Sequence, residues 1–104
     1  MAWTAKATSG QLPSTEGDLY LVPAATKAYI KSFRLYNTNT TAETVLLVVK
    51  RSGQTARTIA RYVLGTLEWV DESFAGPLET GDAIRGVTTT ASKVDFTICF
   101  IEET

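Results

Sequence analysis

The sequence predicts an all-β protein: a single antiparallel β-sandwich or jelly-roll-like domain of about seven or eight strands with an extended N-terminal arm. Three observations support this fold class. Threonine and valine are abundant, and these β-branched residues favour strands over helices. Glycine, proline and asparagine recur at intervals of about 8–12 residues, which is the turn spacing of a sandwich or barrel. Apolar and polar residues alternate strictly near the C-terminus.

We expect one domain, because 104 residues with 44% hydrophobic and 20% charged side chains suffice for one folded core. Residues 1–17 are polar apart from Trp3, Leu12 and Pro13, and we assign them to the N-terminal arm. Residues 18–104 form the predicted β-sandwich. Its strands are expected at residues 19–22, 28–37, 43–51, 56–63, 66–74, 82–88 and 93–102.

Two of these strands have informative side-chain patterns. In residues 93–102, large apolar side chains alternate with polar or small ones, so one face of the strand is apolar. Residues 43–51 are apolar on both faces, which indicates a central strand or one whose outer face is covered. The expected core comprises Leu35, Val45 or Leu46, Leu47, Ile59, Trp69, Ile84, Val94, Phe96, Ile98 and Phe100.

Two further segments depart from a simple strand pattern. In residues 28–37 the apolar phase slips between Ile30 and Phe33, and a β-bulge at this point restores the inward direction of Phe33. Residues 54–64 also fit a helix, with apolar side chains near i, i+3 and i+4. We favour a strand there, because no good capping residue precedes the segment and its neighbours are strand-like.

The composition excludes several kinds of chemistry. The chain has no histidine, which removes Ser-His-Asp triads and Cys-His dyads, and its one cysteine, Cys99, has no partner for an internal disulfide. We therefore expect no catalytic residue, no cofactor and no metal site. No apolar run is long enough to span a membrane, and the N-terminus lacks the apolar core of a signal peptide, so we expect cytoplasmic synthesis.

Charged residues are distributed unevenly along the chain. The basic hairpin, defined here as Lys50, Arg51, Arg57 and Arg61, is followed by an acidic stretch that includes Glu68, Asp71, Glu72, Glu79 and Asp82. A carboxylate pair of a hydrolase and a nucleic-acid site are alternatives, but a solvated face is the more common role of such charges, and a pI near 5.3 disfavours nucleic acid. The candidate interface residues are Trp3, Leu12, Lys50, Arg51, Arg57, Arg61, Glu68, Asp71 and Glu72.

A series of strand-and-turn segments gives the chain a family resemblance. They lie at residues 12–24, 27–32, 34–38, 51–53, 78–86 and 94–103, so the likeness extends over about residues 12–103. In this order they resemble segments of small all-β proteins that are encoded among the structural genes of tailed bacteriophages and prophages. These segments are structural and contain no catalytic motif.

The resemblance implies a non-enzymatic virion protein, first of all a capsid decoration (cement) protein on the capsid surface. Its expected partners are the major capsid protein and copies of itself, with a trimer expected by analogy with decoration proteins at local three-fold positions. Neither nucleic acid nor a membrane is an expected partner. The alternative is a tail or fibre module that binds a receptor or glycan through an exposed aromatic residue, for which Trp3, Trp69 and Tyr36 are the candidates.

Overall fold

The computed structural model describes residues 2–104, and for residues 74–76 it describes the backbone alone. Every regular element in this part of the chain is a β-strand. The strands are β1 (Trp3–Gln11), β2 (Gly17–Leu21), β3 (Lys27–Asn37), β4 (Glu43–Lys50), β5 (Arg57–Leu64), β6 (Trp69–Leu78), β7 (Ala83–Thr88) and β8 (Val94–Glu103).

The strands form two antiparallel sheets of four strands each. Sheet A has the order β1-β8-β3-β6, and sheet B has the order β2-β7-β4-β5. Consecutive strands lie in different sheets except for the β4–β5 hairpin, which is the connectivity of a double-sheet jelly roll. The predicted fold class, an antiparallel sandwich of jelly-roll type, is confirmed.

The core lies between the two sheets and follows from side-chain alternation. In β8 the side chains of Val94, Phe96, Ile98 and Phe100 are buried, as the sequence pattern predicts. Sheet B supplies Val45, Leu47 and Val49 from β4 and Ile84 from β7 to the same cluster. Two expected core residues are not buried: Ile59 is 41% exposed and Trp69 is 58% exposed.

The local geometry explains both errors. Ile59 is the extra residue of a bulge in β5, because Leu47 pairs with Ala60 while Val48 pairs with Thr58. Ile59 still lines the apolar space between the sheets with Leu47 and Phe96, but its place in the bulge of edge strand β5 leaves part of its side chain exposed. Trp69 lies opposite Tyr36, on the outer face of sheet A, where neither residue contributes to the core cluster.

The predicted bulge in β3 is confirmed at Lys31. Ile30 pairs with Phe100 and Ser32 pairs with Cys99, so Lys31 has no partner on β8. This extra residue brings both Ile30 and Phe33 into the core, where strict alternation would have placed one of them outside. The segment at residues 54–64 also resolves as predicted, since β5 is a strand.

The doubly apolar strand β4 is central and is covered on its outer face. It lies between β7 and β5 in sheet B. Val48 points outward yet is only 3% exposed, because it lies in register between Arg85 of β7 and Thr58 of β5. Arg85 is fixed there by Glu16 at 3.1 Å and Asp18 at 2.7 Å, and its stem can shield the valine.

The N-terminal segment is extended, and within one chain it lies against the sandwich. Residues 3–11 form β1, the edge strand of sheet A, which pairs along its whole length with β8. Alternating polar and small side chains suit an edge strand, because main-chain pairing needs no apolar face. Met1, where the predicted arm begins, lies outside the described residues.

Candidate functional site

The exposed edge strand β1 is the first candidate interaction surface. Of its nine residues only Thr8 is partly buried, and the others are exposed. Its outer main-chain edge faces solvent, because among the described strands of sheet A it pairs with β8 alone. An unpaired edge of this length is a template on which another strand can pair.

Trp3 lies at the start of this strand on the outer face of sheet A. Its indole ring stacks on Tyr29 with centroids 5.5 Å apart, and the side chain remains 58% exposed. The hydroxyl of Tyr29 donates a hydrogen bond to Glu103 Oε1 at 3.1 Å, which fixes the ring beneath the indole. Trp3 is therefore a positioned, solvent-facing aromatic group of the kind that anchors protein interfaces.

Polar side chains on the other face of β1 join it to the interior. Lys6 Nζ lies 2.8 Å from Glu102 Oε1, and Tyr20 donates a hydrogen bond to Glu102 Oε2 at 2.6 Å. Hydrogen bonding by Lys6 and then by Tyr20 outweighs burial and lowers the pKa of Glu102 below its ordinary value. Burial and the Glu102 contact raise the pKa of Tyr20, so this hydroxyl stays protonated.

Leu12 is a core residue of its own chain, which corrects its assignment to the interface. Its side chain is completely buried, and its backbone N–H donates to Val94 O at 2.9 Å. A Cβ atom added at Gly86 would lie 2.9 Å from Leu12 Cδ2, so the two residues are in close contact. The chain leaves sheet A at this point and crosses to sheet B, which brings Leu12 between the sheets.

The basic hairpin is only partly available to a partner. Arg51 Nη1 lies 3.1 Å from Asp82 Oδ2, so this residue of the basic hairpin pairs with an acidic residue of its own chain. Lys50 Nζ donates to Arg51 O at 2.9 Å. Arg57 and Arg61 are exposed on edge strand β5, and within the basic hairpin they are the two residues without a side-chain partner among the described residues.

Asp82 is the centre of this internal contact. Its carboxylate accepts hydrogen bonds from the backbone N–H groups of Ser52 at 2.8 Å and Glu79 at 2.9 Å as well as from Arg51. Burial raises the pKa of Asp82, but these three donors outweigh it and hold the pKa below its usual range. The carboxylate joins the β4–β5 turn to the β6–β7 turn.

The acidic candidates divide in the same way. Glu68 binds the backbone N–H of Gly65 and closes the β5–β6 turn. Asp71 accepts two hydrogen bonds from the guanidinium of Arg34, one of them at 2.6 Å. The same guanidinium lies 4.7 Å from the ring centroid of Trp69. Glu72 is exposed on edge strand β6. Of the three, Glu72 alone has no side-chain partner among the described residues.

The outer face of sheet A carries the other aromatic candidates. Trp69 is 58% exposed, and Tyr36 lies opposite it on β3. Trp3 and Trp69 therefore lie on the two edge strands of sheet A and on the same face of the sheet. Trp3 is level with Glu103 at one end of β8, and Trp69 is level with Asp95 near the other end. A shallow groove of about 420 Å³ beside Trp69 is lined by Ser32, Phe33, Arg34, Asp71, Glu72, Ser73, Thr97 and Cys99.

Two buried polar residues outside the predicted set organise one end of the sandwich. Asn37 Nδ2 lies 3.0 Å from the carbonyl oxygens of Thr41, Leu64 and Gly65. Glu43 accepts hydrogen bonds from Thr88 at 3.0 Å and from the backbone of Thr90 at 2.7 Å. The turn-forming asparagines mark this loop in the sequence, but nothing in the pattern distinguishes Glu43 from a surface carboxylate.

The described residues contain neither a metal-binding group of three or more His, Cys, Asp or Glu side chains nor a helix that could cross a membrane. Cys99 is a free, exposed cysteine on the outer face of sheet A, opposite to the core-facing Phe96 and Phe100. The candidate site is thus a set of surfaces: edge strand β1 with Trp3, the charged residues of edges β5 and β6, and the aromatic face around Trp69.

The fold is shared with known structural components. A chain of the Bacillus endospore appendages, described as a novel family of disulfide-linked pili, matches with a TM-score of 0.63 and 17% identity over 99% of this chain and 87% of that chain. A chain of the infectious bursal disease virus Gx strain matches with a TM-score of 0.50 and 11% identity over 98% of this chain, which spans 37% of the viral one. At these identities the likeness establishes the fold alone. No protein-family model matches the sequence, and no curated protein matches it.

Proposed function

We propose that this protein is a non-enzymatic structural subunit of a tailed-bacteriophage virion, where it decorates the capsid surface and binds copies of itself. The observation that carries the proposal is the exposed edge strand β1 with the positioned indole of Trp3. Structural subunits bind through packed surfaces and strand edges, and such contacts need no cofactor. The sequence resemblance to phage structural proteins supports the location on the virion.

Trp3 is the expected anchor of the capsid contact. A large aromatic side chain that is already held in one orientation loses little conformational entropy when a partner covers it. The main-chain edge of β1 lies beside it and offers hydrogen-bond donors and acceptors to the same partner. The major capsid protein is the partner that we propose for this surface.

Charged residues on the opposite side of the sandwich fit contacts between copies. Arg57 and Arg61 lie on β5 and Glu72 lies on β6, and these are the edge strands of the two sheets. Exposed charges at the rim of an interface align partners and speed association more than they add affinity. We propose a trimer by analogy with decoration proteins at local three-fold positions, and the contacts should weaken as the salt concentration rises.

Co-sedimentation with undecorated capsids of the same phage or prophage tests the proposal. The wild-type protein should pellet with capsids, and Trp3→Ala should lower the affinity about tenfold or more if Trp3 is a hot-spot residue. Trp69→Ala is the matched control, because Trp69 has the same exposed fraction on the opposite edge strand. A wild-type protein that stays in the supernatant at every salt concentration would overturn the decoration role.

A second candidate function is a tail or fibre module that binds a glycan. The observation that favours it is the surface of Trp69, Tyr36 and the Arg34–Asp71 pair, where an aromatic ring lies beside fixed hydrogen-bonding groups. A protein that fails to bind capsids but is retained on immobilised host polysaccharide, with loss of retention in Trp69→Ala, would favour this role.

A further inference from the structure

Strand β1 differs from the other three edge strands in its relation to the core. Strand β2 packs Leu19 and Tyr20 against the core, β5 packs Tyr62, and β6 buries Leu78. No residue of β1 belongs to the core cluster or packs against it as a partly buried apolar side chain. The sandwich therefore gains little apolar burial from the β1 side chains themselves.

Contacts with β8 and with Tyr29 of β3 hold β1 in place. They are its main-chain pairing with β8, the Trp3–Tyr29 stack, the Lys6–Glu102 pair, a hydrogen bond between the Ser9 and Thr97 hydroxyls at 2.9 Å, and one from Gln11 to Asp95 at 3.2 Å. A second copy of the chain offers every one of these partners in the same register. Moving β1 from its own β8 to that of a neighbour thus breaks and remakes identical contacts.

The surface that β1 covers needs a strand on it. Lys6, Thr8 and Gly10 pair in register with Phe100, Ile98 and Phe96, whose side chains are buried in the core. A Cβ atom added at Gly10 would lie 3.2 Å from the Phe96 ring, which shows how closely the β1 backbone approaches the core here. If β1 left, the edge of β8 and these rings would face water, so a replacement strand is strongly favoured.

The reach of β1 is set by where the chain is anchored. Leu12 is buried, and its backbone bonds to Val94 at 2.9 Å and Ser92 at 3.2 Å, so the chain from Leu12 onward stays with its own sandwich. The nine residues before it span about 30 Å when extended. That length suffices to lie along β8 of an adjacent copy, since β8 has ten residues.

We propose that β1 is an exchangeable strand that pairs with β8 of a second copy of this chain. The exchange deepens the self-association part of the proposed function and rests on it, but it does not involve the capsid. Reciprocal exchange gives a closed dimer, and exchange passed on from copy to copy gives a ring or an open chain. Leu12 and the residues after it act as the fixed base from which the strand extends.

The register supplies a direct test, because Ala7 on β1 lies opposite Cys99 on β8. A chain with Ala7→Cys and Cys99→Ser carries one thiol on β1, and the wild-type chain carries one on β8. When the two are mixed at high concentration and oxidised, a disulfide between them requires β1 of one chain beside β8 of the other. The matched control is Ala5→Cys with Cys99→Ser, because Ala5 faces Ile101 and its diagonal distance to Cys99 is too long for a disulfide.

We expect the Ala7→Cys mixture to give several-fold more mixed disulfide dimer on a non-reducing gel than the Ala5→Cys mixture. Both positions are exposed, so both variants should melt like the wild-type protein, and a melting curve verifies this first. Equal dimer yields in the two mixtures would overturn strand exchange. The outcome is separate from capsid binding, since a protein that co-sediments with capsids without this cross-link refutes the exchange alone.

Discussion

Arg51 donates a hydrogen bond to Asp82 at 3.1 Å within a single chain. Opposite charges that are distant in sequence and lie in adjacent segments of a sandwich can meet inside one subunit as readily as between subunits. Here the contact closes two neighbouring turns, because the Asp82 carboxylate also binds the backbone of Ser52 and Glu79. The Arg51–Asp82 pair therefore stabilises the monomer and is not available as a contact for a partner.

Replacing Asp82 with alanine should destabilise the monomer. The change removes the acceptor of two backbone N–H groups and of Arg51, and we expect a loss of about 1–3 kcal/mol in the free energy of unfolding. Chemical denaturation followed by tryptophan fluorescence measures it. Glu72→Ala, an acidic residue at an exposed position, should change the value by less than about 0.5 kcal/mol. Equal losses in the two variants would contradict a structural role for Asp82.

Replacing Asn37 with alanine should loosen one end of the sandwich. The side chain is fully buried and its amide serves the carbonyl groups of Thr41, Leu64 and Gly65, so we expect a loss of about 1–3 kcal/mol. Hydrogen exchange should speed up first in the β3–β4 and β5–β6 connections. Thr41→Ala is the control, because it keeps the backbone carbonyl that Asn37 binds; a Thr41→Ala protein as unstable as Asn37→Ala would argue against this assignment.

Truncation of Phe96 tests the inward face of β8. Phe96 is buried among the core residues of both sheets, and Phe96→Ala should lower the free energy of unfolding by about 3–5 kcal/mol. Ile101, on the other face of the same strand, is partly exposed, so Ile101→Ala should cost clearly less. Thermal melting of the pair decides the matter, and a Phe96→Ala protein that melts like the wild type would show that the face is wrongly assigned.

Acid should weaken the attachment of β1. Lys6 and Tyr20 lower the pKa of Glu102 in the folded protein, so the ionised form contributes stability above the unfolded pKa and loses it as the pH falls through the lowered value. Stability measured by denaturation should therefore decline below about pH 4. Glu43, whose pKa is also held low by hydrogen bonds despite burial, adds to the same trend.

The variant Glu102→Gln separates the two carboxylates. It should be less stable than the wild type at pH 7 and should show a smaller decline between pH 7 and pH 3, because Glu43 and Asp82 are then the buried carboxylates with a lowered pKa that still contribute to the decline. Glu72→Gln serves as the surface control and should keep the wild-type decline. An unchanged pH profile in Glu102→Gln would show that the Lys6–Glu102 pair adds no stability.

Alternation along a strand predicted much of this fold. The inward row of β8 and the phase slip in β3 follow from the side-chain period of two, and both are present in the structure. Alternation did not predict that Trp69 is exposed. An apolar residue on an edge strand can lie on either face, and the sequence does not show which residues of β6 point into the core. The prediction that Ile59 is buried was wrong because the bulge in β5 has no sequence signal as clear as the slip in β3.

Candidate interface residues were harder to predict than strands. A charge sequence does not reveal whether a partner lies in the same chain, and Arg51 and Asp71 proved to have partners there. Leu12 resembles a lone apolar anchor in a polar segment, but only the sheet connectivity shows that it enters the core. Trp3 is exposed, as both candidate roles for it require, and its role at an interface stays a prediction.

The strand order also determines when the parts of this protein can assemble during synthesis. Strands β1 and β3 both pair with β8, and the contact between Ser9 and Thr97 spans 88 positions of the sequence. Since a ribosome adds about 5–20 residues per second, several seconds pass between the synthesis of β1 and that of β8. Only the β4–β5 hairpin can pair as soon as it is made. On polysomes, where nascent copies lie close together, β1 is therefore made well before the strand with which it pairs.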